Sequence, residues 1–415
     1  MDNELERQIN AASTPEVRLR GKLSIMKPNM TAFTIGKTIV KGIIAVTRPG
    51  IIIDGSDAEV EAEIEDSTNS DWSLFYIHPS ARDVRLRNLT IRIRIKNPVH
   101  TTRMFSAIYN TAFGLKIENC HIEIYTDKQI NLAAVYNNGN LDTHMETRAD
   151  NLVISDSFLK AECIPEEYPK ECTVYGAYNN LANSISVRNT FIYATNRGVG
   201  GGEKAVGVYT NGRFGRFVGN NIKANGTHNI GKQKEQAHAF GFLNEGMYTI
   251  ITSNNLVGEW AGMSVGLENK GEYAKISSNK ILATHTICGR SVRSYGNNSG
   301  IEGNILTSTS RNARLLEHNA SGCIISGNIM EVLMPKEECP SGCGIYAAGE
   351  NARENIITGN IIRNVSDCGI FIGPDAGLIK DNEVLTYPDA LKQAGSENQR
   401  LAEKLDERYI RSIQE

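Results

Sequence analysis

One short apolar phrase returns throughout the chain: VRLRNLTI (84–91), LKIENCHI (115–122), LVISDSFL (152–159), ISVRNTFI (185–192), GRFVGNNI (215–222), YTIITSNNL (248–256), YAKISSNKI (273–281), SGIEGNI (299–305), CIISGNI (323–329), NIITGNI (355–361) and GLIKDNEV (377–384). Each has two or three alternating apolar residues, then Asn (once Asp), then an apolar restart. The marked residues are Asn88, Asn119, Asp156, Asn189, Asn220, Asn254, Asn279, Asn304, Asn328, Asn360 and Asn382, spaced 22 to 37 residues apart. A fixed phrase at such intervals signals a repeat architecture. Between the phrases lie second strands with strict period-two alternation, among them FSAIYN (105–110), VYGAYN (174–179), HAFGFLN (238–244), GMSVGLEN (262–269), GRSVRSYGN (289–297) and ARLLEHN (313–319). Period two means strand rather than helix. Without crossover helices, each repeat must stack on the one before as a parallel solenoid.

The pattern predicts an all-β chain of about eleven coils over residues 22–386. Residues 1–21 carry a short amphipathic helical pattern (Leu5, Ile9) and read as an N-terminal cap. Residues 387–415 place Leu391, Leu401, Leu405, Tyr409 and Ile413 at helical spacing behind Pro388-Asp389, which predicts a C-terminal helix. That helix would cover the last coil or dock on a second copy of the chain. The recurring Asn suits a corner, because its amide both donates and accepts and because Asn tolerates left-handed backbone. Stacked at one bend, successive amides can bond one another.

These features together resemble the right-handed parallel β-helix of the pectin lyase-like superfamily. The I-x-G-N-x-I phrases, the Asn corner and the Gly-led second strands carry the resemblance over roughly residues 40 to 385. It implies carbohydrate chemistry, with an oligo- or polysaccharide lying across the outer face of the second strands between flanking loops.

Composition narrows the partners. Net charge is −3 with a pI near 6.3, so no basic footprint argues for nucleic acid or an anionic membrane surface. No stretch approaches a membrane span. The N-terminus lacks an apolar core and does not read as a secretory signal. Eight cysteines in such a chain read as reduced thiols of a cytoplasmic protein. Under export, Cys163/Cys172 and Cys339/Cys343 each bracket a loop and are candidate bridges. No cofactor is expected: GVGGGEK (198–204) lacks the ending of a phosphate loop, and no His-rich or Cys-rich spacing marks a metal.

Candidate chemistry follows from aligning the second strands. Tyr109, Tyr136, Tyr178 and Tyr209 fall in one column, as exposed rings suited to sugar faces or, with alternation shifted by one, as an interior stack. The same column continues as Leu243, Glu268, Arg293 and Glu317. Glu268 and Glu317, two coils apart, have a spacing that suits an acid and a base in glycosidic cleavage, with Arg293 tuning a carboxyl or binding an oxyanion. Plain charge satisfaction along a solenoid face is the competing reading. Loop 224–238 carries His228, Lys232, Lys234, Glu235 and His238, and His238 joins the catalytic candidates; Lys234, Glu235 and Arg290 join the substrate-binding ones. The expected activity is carboxylate-catalysed hydrolysis or intramolecular transfer of a glycosidic bond. The alternatives are a metal-free polysaccharide lyase, kept open by Arg290, Arg293, Arg314 and Lys270, and a non-catalytic glycan-binding β-helix.

Overall fold

The computed structural model describes residues 2–26, 31–35, 38–65, 71–96, 103–139, 149–165, 172–198, 204–227, 237–335, 337–373, 375–385 and 410–412. They form two compact units that divide between residues 227 and 236. Each unit is a parallel β-helix. Coils contribute three strand segments, two of them fused in Ile52–Glu65, Lys280–Ser294 and Ile305–His318, and the segments pair in parallel with their counterparts one repeat later; Thr31–Ile35 instead pairs antiparallel with Thr38–Val46.

In the first unit one ladder joins Arg85–Arg87, Lys116–Glu118, Val153–Ser155, Ser186–Arg188 and Arg216–Val218. A second joins Thr90–Lys96, His121–Thr126, Phe158–Cys163, Phe191–Asn196 and Asn221–Asn225. The third joins Asp71–Ile77, Met104–Asn110, Asn131–Asn138, Thr173–Asn180 and Lys204–Thr210. The second unit repeats this plan, and its inward residues form three apolar columns. Ile251, Ile276, Ile301, Ile325 and Ile357 make one. Leu256, Ile281, Leu306, Met330 and Ile362 make another. Phe242, Leu267, Val292, Leu316, Ile345 and Ile370 make the third. All are buried, and each such side chain contributes roughly 1.5–3 kcal/mol by leaving water. The glycine of the second strands has a steric cause: a Cβ on Gly266 would lie 2.4 Å from Ile281 Cγ2 and 2.8 Å from the Ser291 carbonyl oxygen.

The Asn corner takes two forms. In the second unit Asn254, Asn279, Asn304, Asn328, Asn360 and Asn382 are buried. From Asn279 onward each side-chain oxygen accepts from the backbone N–H and the amide of the preceding coil's Asn, at 2.8–3.0 Å. There the left-handed residue is the one before, namely Ser253, Ser278, Gly303, Gly327, Gly359 and Asp381. In the first unit Asn88, Asn119, Asp156 and Asn189 are themselves left-handed, and the buried corner position passes to Leu89, Cys120, Ser157 and Thr190. The eleven marked residues are therefore not equivalent. Asn220, preceded by left-handed Gly219, already follows the buried form.

The N-terminal helix α1 (Asp2–Ala11) caps an edge. Asn10 donates to the Ala45 carbonyl at 2.7 Å and accepts from Thr47 N at 2.9 Å, while Glu6 accepts from Ala45 N. These contacts satisfy backbone groups of Thr38–Val46 that a sheet edge leaves open. The expected C-terminal helix over 387–415 lies outside the described residues except at Ile410–Ser412, and there it is corrected. That segment is a strand paired in parallel with Cys368–Ile372, Ile410 opposite Ile370. Extending an aliphatic column is what decides it. None of the eight cysteines, all among the described residues, is in a disulfide, and Cys343 stands in register with Cys368 rather than Cys339. Among the described residues no helix is long and apolar enough to cross a membrane.

His318 occupies the position of a second buried column, Asn244–Asn269–Ser294–His318. Burial pushes its imidazole down from 6.5 to about 4. A depressed folded value means stability is complete above pH 6.5 and drains away as pH falls towards 4, by up to about 3 kcal/mol. His318→Asn, which suits the column, is expected to flatten that acid limb in urea unfolding followed from pH 7 to 4. An unchanged limb would rule out His318 as its source.

Candidate functional site

The column read from the sequence is assembled in the second unit. Glu268 lies opposite Arg293, Arg293 opposite Glu317, and Glu317 opposite Tyr346, which is followed by Phe371. Period-two alternation keeps these side chains off the aliphatic face. They form one network. Arg293 donates to Glu268 at 2.6 Å and stands 3.6 Å from Glu317. Arg290 and Arg314 reach Glu317 at 2.7 and 3.0 Å. Lys270 bridges Glu268 at 3.2 Å and Glu245 at 2.9 Å.

Exposure within the network is graded. Glu268 and Glu317 are the covered carboxylates, at 5% and 17% of side-chain surface, with Arg293, Arg314 and Lys270 above them at 21%, 30% and 45%. Glu245, at 33%, stands beside Lys270. Over Glu268 and Glu317 an incoming ligand thus meets cations first. Burial alone would raise the Glu317 carboxyl; Arg290, then Arg293 and Arg314, more than offset it and hold it below the usual carboxylate range. Burial likewise opposes the charge on Lys270, and Glu245 and Glu268 restore it, leaving the ammonium firmly protonated.

Tyr295 completes the group. Its hydroxyl accepts from Arg293 and donates to Glu317 Oε1 at 3.2 Å. Burial, with Glu317 and Glu268 adding to it and Arg293 opposing, raises the phenol above its ordinary value, so it keeps its proton at neutral pH. Tyr295 also lines a polar cleft of about 410 Å³ with Asn297, Asn319, Ser321, Glu350, Asn351 and Arg353. Sequence reasoning missed it, although it stands two residues past Arg293 and so on the same face. The Arg314 guanidinium lies 3.8 Å over the Tyr346 ring, and Tyr346 stacks on Phe371 at 5.0 Å.

Other expected site residues sit elsewhere. Arg290 lies beneath the network, held by Glu317 and by the Gly289 and Asn312 carbonyls, so it is not presented to a ligand as expected. His238 opens its strand, in register with Met263 and Cys288, five positions before Leu243 in the Glu268 column; it does not join the cluster. His228, Lys232, Lys234 and Glu235 lie outside the described residues.

The tyrosine column exists in the first unit and includes Tyr76. Ring centroids run 5.9, 4.6, 4.8 and 4.9 Å along Tyr76, Tyr109, Tyr136, Tyr178 and Tyr209. The expected row of four exposed rings is corrected. Tyr109 and Tyr136 are buried with Tyr76, Ala45 and Ala133 in a separate apolar cluster, on the face opposite Ile108 and Val135. Only Tyr178 and Tyr209 are half-buried. Packing outside the coil closes the lower part of the row, and alternation within a strand carries no information about such cover.

No His, Cys, Asp or Glu cluster with metal-binding geometry occurs among the described residues. The fold and this outward network define a parallel β-helix with a charged strand face beside a polar cleft. No family model matches the sequence, and no curated protein matches it. Solved structures do. The chain is similar to the A-module of mannuronan C-5 epimerase AlgE6 from Azotobacter vinelandii, at 13% identity and TM-score 0.45, over 84% of this chain and 91% of that one. It is similar to a mutant tailspike protein of E. coli bacteriophage HK620 in complex with pentasaccharide, at 9% and 0.47, over 93% and 68%. A DFA-IIIase mutant from Arthrobacter chlorophenolicus A6 matches at 10% and 0.33, over 97% and 84%.

Proposed function

We propose that the protein is a carbohydrate-active enzyme that cleaves an acidic oligo- or polysaccharide by β-elimination at the Tyr295–Glu317 pair. The observation that carries this reading is that Arg293, Arg314 and Lys270 lie outward of Glu268 and Glu317. Lys270 and Arg314 are placed to neutralise a uronate carboxylate, which acidifies the neighbouring C–H bond. The C5 proton passes to Tyr295 Oη as the phenol's own proton moves along its hydrogen bond to Glu317. The C4–O bond then breaks with its electron pair on the departing oxygen, which takes the proton back from Tyr295. A C4=C5 double bond remains, and Tyr295 and Glu317 return to their starting states. The amides and hydroxyls of the adjoining cleft suit sugar hydroxyls.

The second reading is glycosidic cleavage by Glu268 and Glu317, favoured by their common face. One feature weighs against it. The Arg293 side chain lies between the carboxylates, where water or the scissile oxygen would sit. Incubation with uronate-containing and neutral polysaccharides separates the two. Elimination gives an unsaturated product absorbing in the near ultraviolet, and Tyr295→Phe is expected to lower its rate about a hundredfold or more. Neutral glycans cut without that absorbance would instead establish the two-carboxylate reading.

A further inference from the structure

We propose that the first unit carries a separate binding groove for a neutral oligosaccharide along its Asn119–Asp156–Asn189 corner. The groove encloses about 420 Å³. One wall is the exposed left-handed row Asn119, Asp156 and Asn189 (φ 50°, 52° and 50°). These side chains are tied to one another and to the preceding coil: Asn189 donates to Asp156 at 3.2 Å, and Asn119 to Asn88 at 2.8 Å. The other wall is His121, Phe158 and Phe191, two residues further along each coil and mutually in register. Buried Cys120 and Ser157 form a floor of small side chains between them.

The chemistry of the walls selects the ligand. The amides both give and take hydrogen bonds and the Asp156 carboxylate takes them, as pairs of vicinal hydroxyls require. His121 stacks on Phe158 at 4.5 Å, so those two rings occupy each other's faces. The row ends at Phe191: the next ladder position is Asn221, too short to cover a ring, and Phe191 keeps 48% of its surface. Its open face offers a plane for the C–H side of a pyranose. His121 is paired with Glu123 at 2.9 Å, and no lysine or arginine lines the groove, so nothing there favours an acidic sugar. Three coils at about 4.8 Å spacing span about 10 Å, the reach of two or three sugar rings.

The proposal does not depend on the reading of the other unit. Saturation-transfer NMR of the full chain against neutral gluco-, manno-, galacto- and N-acetylhexosamine trisaccharides, with a uronate trimer as contrast, tests it. At least one neutral trisaccharide is expected to bind. Phe191→Ser should weaken it about tenfold without shifting the thermal midpoint, and Asn189→Ala should weaken it too. Absence of binding across the neutral panel, or binding indifferent to both groove variants, would overturn the proposal.

Discussion

Glu317→Gln is expected to lower turnover of an acidic polysaccharide by a factor of about 100 or more, since the relay loses its proton acceptor. It is also expected to destabilise the fold by roughly 3 kcal/mol, because a covered carboxylate that compensates three arginines is gone. Arg290, at 9% side-chain exposure, suffers most. The two effects come apart in a second variant. Arg290→Met with Glu317→Leu removes a buried pair together and should recover much of the stability in urea unfolding while turnover stays lost. The carboxyl is held below its usual range, so its contribution to stability is present above its ordinary value of 4.5 and is lost as pH falls below that. Glu317→Gln should accordingly soften the acid limb below pH 4.5. Turnover equal to the parent's would remove Glu317 from the chemistry. The double replacement of Glu268 and Glu317 by Gln carries the same logic further, and retained cleavage in that protein would remove both.

Asn304→Leu should cost stability on a similar or larger scale, although the two side chains have the same branching and the same number of non-hydrogen atoms. Asn304 Oδ1 accepts from the Asn279 backbone N–H and from the Asn279 amide, both at 3.0 Å. Its own amide donates to the Ile276 carbonyl at 2.9 Å and to Asn328 at 3.0 Å. Leucine strands the Asn279 N–H and the Ile276 carbonyl, while the Asn279 amide keeps the Ile251 carbonyl and Asn328 Oδ1 keeps the residue 304 N–H; at about 1–3 kcal/mol for each stranded group the loss is roughly 2–6 kcal/mol. The urea midpoint reports it directly. A loss below about 1 kcal/mol would mean that water replaces the amide and that the ladder is dispensable there.

Much of the coil was legible because a period-two pattern and a repeating corner each impose register, and both recur in the letters. The two kinds of corner were legible as well, in a signal finer than the Asn itself. From Asn88, Asn119, Asp156 and Asn189 the next core residue is three positions on (Ile91, Ile122, Leu159, Ile192), but from Asn279 or Asn304 it is two (Ile281, Leu306). That single-residue difference moves Asn from the left-handed corner to the buried one. The column Glu268–Arg293–Glu317 followed from alignment alone. Which groups would grip one another did not, because long side chains choose partners across coils: Arg290 passes beneath its neighbours to reach Glu317. The burial of Tyr109 and Tyr136 was invisible for a different reason, since it depends on side chains of other coils, Ala45, Tyr76 and Tyr178 among them. YIRSI near the C-terminus fits both a helical and an extended period, and pairing with Cys368–Ile372 settles Ile410–Ser412.

The even spacing of Asn254, Asn279 and Asn304, 25 residues apart with the same amide contacts at either end, makes that stretch of the second unit a cassette. An added or excised turn of this length presents matching chemistry to both neighbours, so the molecule can grow or shrink in whole increments of about 4.8 Å. Such growth would lengthen the outward charged strip without disturbing the packing behind it, a route by which a scaffold of this kind could match polymers of different length.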